Sequence, residues 1–184
     1  YVLHHQLANT NYITDALALT QGYLLATDNG LFQLKDGQVQ ALAGLLPELA
    51  QQSLHITSLL AIGEQIWAST QDHGLLILQL QQGQWQLQHQ LSVADGLAEN
   101  QLRALALASD GQVWVTGMKT LSSIDPVSLQ IRRLSRHLHW LDMEFHANDA
   151  KRGFLVLNTT KRDNSQFYGH VVANASGTVR GEVD

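Results

Sequence analysis

The chain has 184 residues, 45% of them hydrophobic, which suffices for a core of its own and excludes global disorder. Its net charge of -5 leaves one basic cluster, Arg132, Arg133 and Arg136, so a nucleic-acid binder driven by counterion release is excluded. There is no Cys, hence no disulfide framework and no thiol chemistry, and no apolar run approaches the roughly 20 residues a membrane span needs.

In chain order the sequence repeats itself. Ile13 to Leu34 reads ITDALALTQGYLLATDNGLFQL, Ile56 to Leu80 reads ITSLLAIGEQIWASTQDHGLLILQL, and Leu102 to Ile124 reads LRALALASDGQVWVTGMKTLSSI. Each phrase predicts an apolar strand, a turn, a second strand ending near Thr, a short loop and a third strand opening on Leu. The central bulky positions are taken as Leu25, Trp67 and Trp114. A weaker fourth copy starts at Leu141 and places Val156 there. A fourth strand is predicted to close each unit. In the second copy it follows the Gln-Gln-Gly-Gln turn, where Leu76, Leu78 and Leu80 alternate in phase with Trp85, Leu87 and Leu91. Asp36-Gly37 makes the equivalent turn in the first copy and Asp125-Pro126 begins it in the third. Helix is expected only for a turn or so near Leu45 to Gln52.

Four short strands per roughly 40–45 residues is the pattern of a propeller blade. The predicted fold is an all-β β-propeller of about four blades, near residues 11–43, 54–92, 101–135 and 139–184. Closed propellers hold about 4–8 blades, so the chain is expected to be part of a larger ring. A homodimer or further blades would complete it.

The third copy carries a resemblance. Asp95-Gly96-Leu97, Asn100, the strand from Leu102, Asp110-Gly111 and Val113-Trp114-Val115-Thr116 resemble the two-component regulator propeller repeat. The departures are Thr116-Gly117 for the usual Gly-Thr and Thr120-Leu121 for the usual Gly-Leu. The resemblance covers about residues 11–134. It implies a periplasmic sensor module of a bacterial histidine kinase or diguanylate cyclase, joined to the membrane through segments outside this chain, with some members sensing carbohydrate fragments. The opening at Tyr1, with no Met, fits a processed or excised piece.

Strand alternation then places the second-to-third-strand loops and the blade-to-blade loops on one side of the disc. The candidate ligand residues on that side are Tyr12, His55, His73, Asn100, Gln101, Arg103, Lys119 and Trp140. Amide, guanidinium and aromatic groups suit polyols and sugars. Competing roles are turn chemistry for Asn100 and Asp95, packing for Trp67 and Trp114, and a stacked or salt-bridged structural role for Arg103. The nine His include His137-x-His139, but no metal-ligating motif or catalytic signature is present. No metal, cofactor or catalytic residue is therefore assigned. The reading is a non-enzymatic sensor of a small molecule or oligosaccharide; the alternatives are a protein-interaction scaffold and a propeller lyase or glycosidase.

Overall fold

A computed structural model describes residues 12–42, 54–108, 110–118 and 120–133, and the backbone of strands 154–160, 166–173 and 179–183. The chain is all-β and of propeller type; the described strands form three four-stranded antiparallel sheets and one of three strands, and strands consecutive in sequence are neighbours. Among the described residues no helix is long and apolar enough to cross a membrane. The expected helical turn near Leu45 and the inner strand from Leu141 lie outside the described residues.

Two compact units, residues 1–90 and 91–184, divide the chain. The first holds two sheets. One is β1 (Ile13–Leu19), β2 (Gly22–Thr27), β3 (Gly30–Lys35) and β4 (Gln38–Ala41), in that order. The other is β5 (Ile56–Ile62), β6 (Gln65–Thr70), β7 (Leu75–Gln81) and β8 (Gln84–Leu91). The outer hairpins turn at Asp36-Gly37 and Gln82-Gly83, all four residues at positive φ. That is the pairing that matches the twist of a two-residue hairpin.

The two sheets of this unit pack face to face. Leu24, Ala26 and Leu31 of the first join Ile66, Ala68, Leu76 and Leu78 of the second in one buried cluster, with Trp85 and Leu87 against it. Leu76, Leu78, Trp85 and Leu87 thus share one face, as their alternation predicts. Leu25 and Phe32 belong to a separate cluster with Leu34 and Val39. This corrects the repeat phase. Ala26 pairs with Leu31 and Ser69 with Leu75, so the partner of Trp67 in the first copy is Leu24, not Leu25. The sequence offers two adjacent Leu, and only the strand register chooses between them.

The second unit begins with a 3-10 turn, Val93–Asp95. Its four-stranded sheet follows: β9 (Leu102–Leu107), β10 (Val113–Gly117), β11 (Leu121–Ile124) and β12 (Ile131–Arg133). Asp125 builds the last turn, its Oδ1 accepting the amides of Val127 and Ser128 at 3.0 and 2.7 Å. A three-stranded sheet, β13 (Phe154–Thr160), β14 (Gln166–Ala173) and β15 (Val179–Val183), completes the unit. Asn158 lies within β13, two residues before that strand ends.

Candidate functional site

The ends of the inner strands repeat a device that the residue pattern alone does not reveal. β1, β5 and β9 each carry a bulge at the same place: between Ile13 and Asp15, between Ile56 and Ser58, and opposite Thr116-Gly117. The extra residues are Thr14, Thr57 and Arg103. A bulge leaves one residue out of the ladder and re-aims its side chain. Thr14 donates to the Ile56 carbonyl at 2.6 Å. The Thr57 and Ser69 hydroxyls bond each other at 2.8 Å. Arg103 is exposed and its Nε reaches the Met118 sulfur at 2.9 Å.

In the first unit the same strand ends gather three predicted residues. Tyr12 and His55 precede β1 and β5, and their rings meet edge to face with centroids 6.1 Å apart. The β6–β7 loop lies beside them, because the Gln71 amide donates to the His55 carbonyl at 2.9 Å. His73 sits in that loop, its amide held by Thr70 Oγ1 at 2.8 Å and its carbonyl by Gln90 Nε2 at 3.0 Å. Asp15, absent from the predicted set, ties the inner strands together: its Oδ2 accepts the Leu59 amide at 2.8 Å and the Ser58 hydroxyl at 3.2 Å. Its signal was the lone acid in an apolar strand.

In the second unit the predicted loop is occupied with its own architecture. Ser92 and Asp95 form a capping box, and Asn100 Oδ1 accepts the Val93 amide at 2.8 Å. The Ser92 hydroxyl and amide hold the Asp95 carboxyl below its ordinary value. Arg133 clamps the Gly96 and Leu97 carbonyls at 2.9 and 3.0 Å. Gln101 is exposed. Lys119 and Trp140 lie outside the described residues.

A groove opens on the other side of the first unit, where no residue was predicted. It has a volume of about 710 Å3 and lies between the two sheets, bounded by the β1–β2 and β5–β6 turns and the ends of β3, β7 and β8. Leu19, Ile66, Leu80 and Trp85 supply apolar surface; Thr20, Gln21, Gln33, Lys35 and Glu64 supply polar groups. The volume falls in the range of roughly 300–1,000 Å3 typical of ligand sites. The Trp85 indole N–H is buried and has no acceptor among the described residues. Lys35 is the sole Lys or Arg before Arg103. Among the described residues no group of three or more His, Asp or Glu is placed to hold a metal ion.

No family model matches the chain, and no curated protein matches it. Solved structures do. The extracellular domain of a B. thetaiotaomicron protein assigned as a one-component system superposes with a TM-score of 0.69 at 16% identity, covering 95% of this chain and 24% of that one. A Bacteroides uniformis protein assigned as a 6-phosphogluconolactonase gives 0.62 at 11%, over 90% of this chain and 55% of that one. A catalytically inactive virginiamycin B lyase from Staphylococcus aureus, solved with quinupristin, gives 0.57 at 13%, over 96% and 57%. At these identities the likeness defines the fold: a partial β-propeller. The chain spans about a quarter of the first of these structures and just over half of the other two.

Proposed function

We propose that this chain is the ligand-sensing propeller segment of an extracytoplasmic signalling protein, and that its groove receives a hydroxylated ligand of the oligosaccharide class. The groove carries the reading. An indole and Leu side chains offer a stacking surface for the apolar face of a sugar ring, while Gln21 and Gln33 present amides that both donate and accept. Lys35 and Glu64 add a donor-only and an acceptor-only group at the rim. The extracellular sensor domains among the structural neighbours support the signalling role and the location outside the cytoplasm. The third repeat's resemblance to the two-component regulator propeller supports it independently.

Calorimetry with a panel of neutral and acidic oligosaccharides tests the proposal. Binding by at least one sugar is expected, weakened about tenfold or more by Gln33→Ala with Lys35→Ala, in line with loss of two or more polar contacts. Tyr12→Ala with His55→Ala, on the other side of the unit, should leave it unchanged. Loss through the second pair alone would move the site to the loop side. Turnover of a bound sugar would replace the sensor by an enzyme.

A further inference from the structure

Beyond ligand sensing, the outer edge of the second sheet has the properties of an interface. β8 is the last strand of its sheet, so one side of its backbone has no partner strand among the described residues. It is eight residues long, against four for β4 and three for β12, the edge strands of the other four-stranded sheets. Proteins blunt such edges with short strands, charges or Pro. The neighbouring edges follow that rule: β12 carries Arg132 and Arg133, and β4 begins just after Lys35 and Asp36. β8 does not. Between Asp72 and Asp95 there is no Asp, Glu, Lys, Arg or Pro.

We infer that β8 pairs antiparallel with β8 of a second copy of this chain, joining two four-stranded sheets into one of eight strands. The strand is complementary to itself. In QWQLQHQL the Gln residues at 84, 86, 88 and 90 alternate with Trp85, Leu87, His89 and Leu91. An antiparallel two-fold pairing centred on Leu87 sets Gln84 against Gln90 and Gln86 against Gln88. It also sets Trp85 against His89 and Leu87 against its copy. The Gln pairs and the Leu pair then match in character, Trp85 and His89 are both aromatic, and no like charges oppose across the strands. Burying an uncharged edge costs no ion desolvation, and the pairing offers partners to the N–H and C=O groups on the outer side of β8.

The absence of Cys makes the test direct. Gln86→Cys with Gln88→Cys places thiols opposite each other across the two-fold, and mild oxidation is expected to give a disulfide-linked dimer. Gln38→Cys with Gln40→Cys, on the β4 edge, is expected to stay monomeric under the same oxidation. By light scattering the unmodified protein should run as a dimer. Gln86→Lys with Gln88→Lys should weaken that dimer at least about tenfold, since four ammonium groups then meet at the pairing. The circular dichroism spectrum should be preserved. A monomer at about 100 μM, which is far above the Kd of a stable dimer, overturns the inference. So does a dimer unaffected by the lysines, open-ended aggregation of the unmodified protein, or equal cross-linking at β4. A sugar that binds without dimerisation, or the reverse, separates this inference from the proposed function.

Discussion

Thr70 and Thr116 look alike in the sequence, each near the end of a second strand, yet they have opposite environments. Thr70 Oγ1 donates to the Gly74 carbonyl and accepts the His73 amide, both at 2.8 Å, and Thr27 does the same for Gly30 and Asn29 at 2.8 and 3.0 Å. Thr116 is one register position earlier, opposite Leu121, where the second sheet has Ser69 opposite Leu75. Ser69 is satisfied by Thr57 from the bulge; the third sheet has Arg103 at that bulge, and the Thr116 hydroxyl is buried without a partner among the described residues. A buried hydroxyl that bonds nothing contributes no net stability, whereas one that closes a loop is worth about 1 kcal/mol. Thr116→Val is therefore expected to be neutral or stabilising and Thr70→Val to cost about 1–2 kcal/mol by urea denaturation.

Two carboxyls at this scale set a pH dependence. Ser92 lowers Asp95, and the Ser128 amide, with the Ser128 hydroxyl and the Val127 amide, lowers Asp125, both from an ordinary value of 3.8. A group titrating lower in the folded chain than in the unfolded chain adds stability that is complete above the unfolded value. That stability is lost as pH falls through the folded value. Thermal unfolding is thus expected to show no contribution from these groups to pH dependence above about pH 5, and a decline below pH 4. Asp95→Asn with Asp125→Asn should make that acid limb shallower. An unchanged limb would show that the carboxyls do not anchor their turns.

At the scale of elements, one lock distinguishes the third sheet from the first two. Gly117 stands at the register position of Thr27 and Thr70 and has no hydroxyl to close the β10–β11 loop. Glu99 fills the space instead: a Cβ on Gly117 would overlap its side chain, and its Oε1 accepts from Thr120 at 2.6 Å. A carboxylate from the preceding loop thus replaces a threonine in the strand. This gives the Gly where the first two sheets carry Thr a physical reason. Gly117→Ala is expected to cost about 1–3 kcal/mol, the usual range for overpacking a filled site. In a Glu99→Ala background the same change should cost under about 0.5 kcal/mol, and the difference is the coupling energy of a double-mutant cycle. Additivity of the two changes would contradict the lock.

The strands themselves were legible in the sequence because their signals are local. Asp36-Gly37 and Gly111 mark turns by their positive φ, and Leu76, Leu78, Trp85 and Leu87 alternate visibly. The choice between Leu24 and Leu25 was not legible, because it depends on hydrogen-bond register across strands. The bulges at Thr14, Thr57 and Arg103 were hidden for the same reason.

For the whole molecule, the repeat specified the propeller, and the candidate groove was the part that periodicity could not give. The loop-side reasoning identified Tyr12 and His55, which do meet, and His73, whose loop lies beside them. It also chose Asn100, whose side-chain oxygen is engaged in holding a turn, the competing role foreseen for it. The groove escaped because its residues are ordinary ones. Gln21, Gln33 and Glu64 look like any exposed turn or strand residue until two sheets bring them to one opening with Trp85. Such a groove is a property of packing between sheets, which no single segment encodes.

The central claim is that this groove takes a hydroxylated ligand, and the Trp85 indole N–H is its reporter. The sequence has four Trp, so a nitrogen-15 correlation spectrum holds four indole cross-peaks, assignable by single Trp→Phe changes. On titration with the oligosaccharide panel, the account predicts a saturable shift of the Trp85 peak while the fully buried Trp67 peak stays in place. A Trp85 peak unmoved by every sugar, or one that stays fixed while another indole responds, would contradict it.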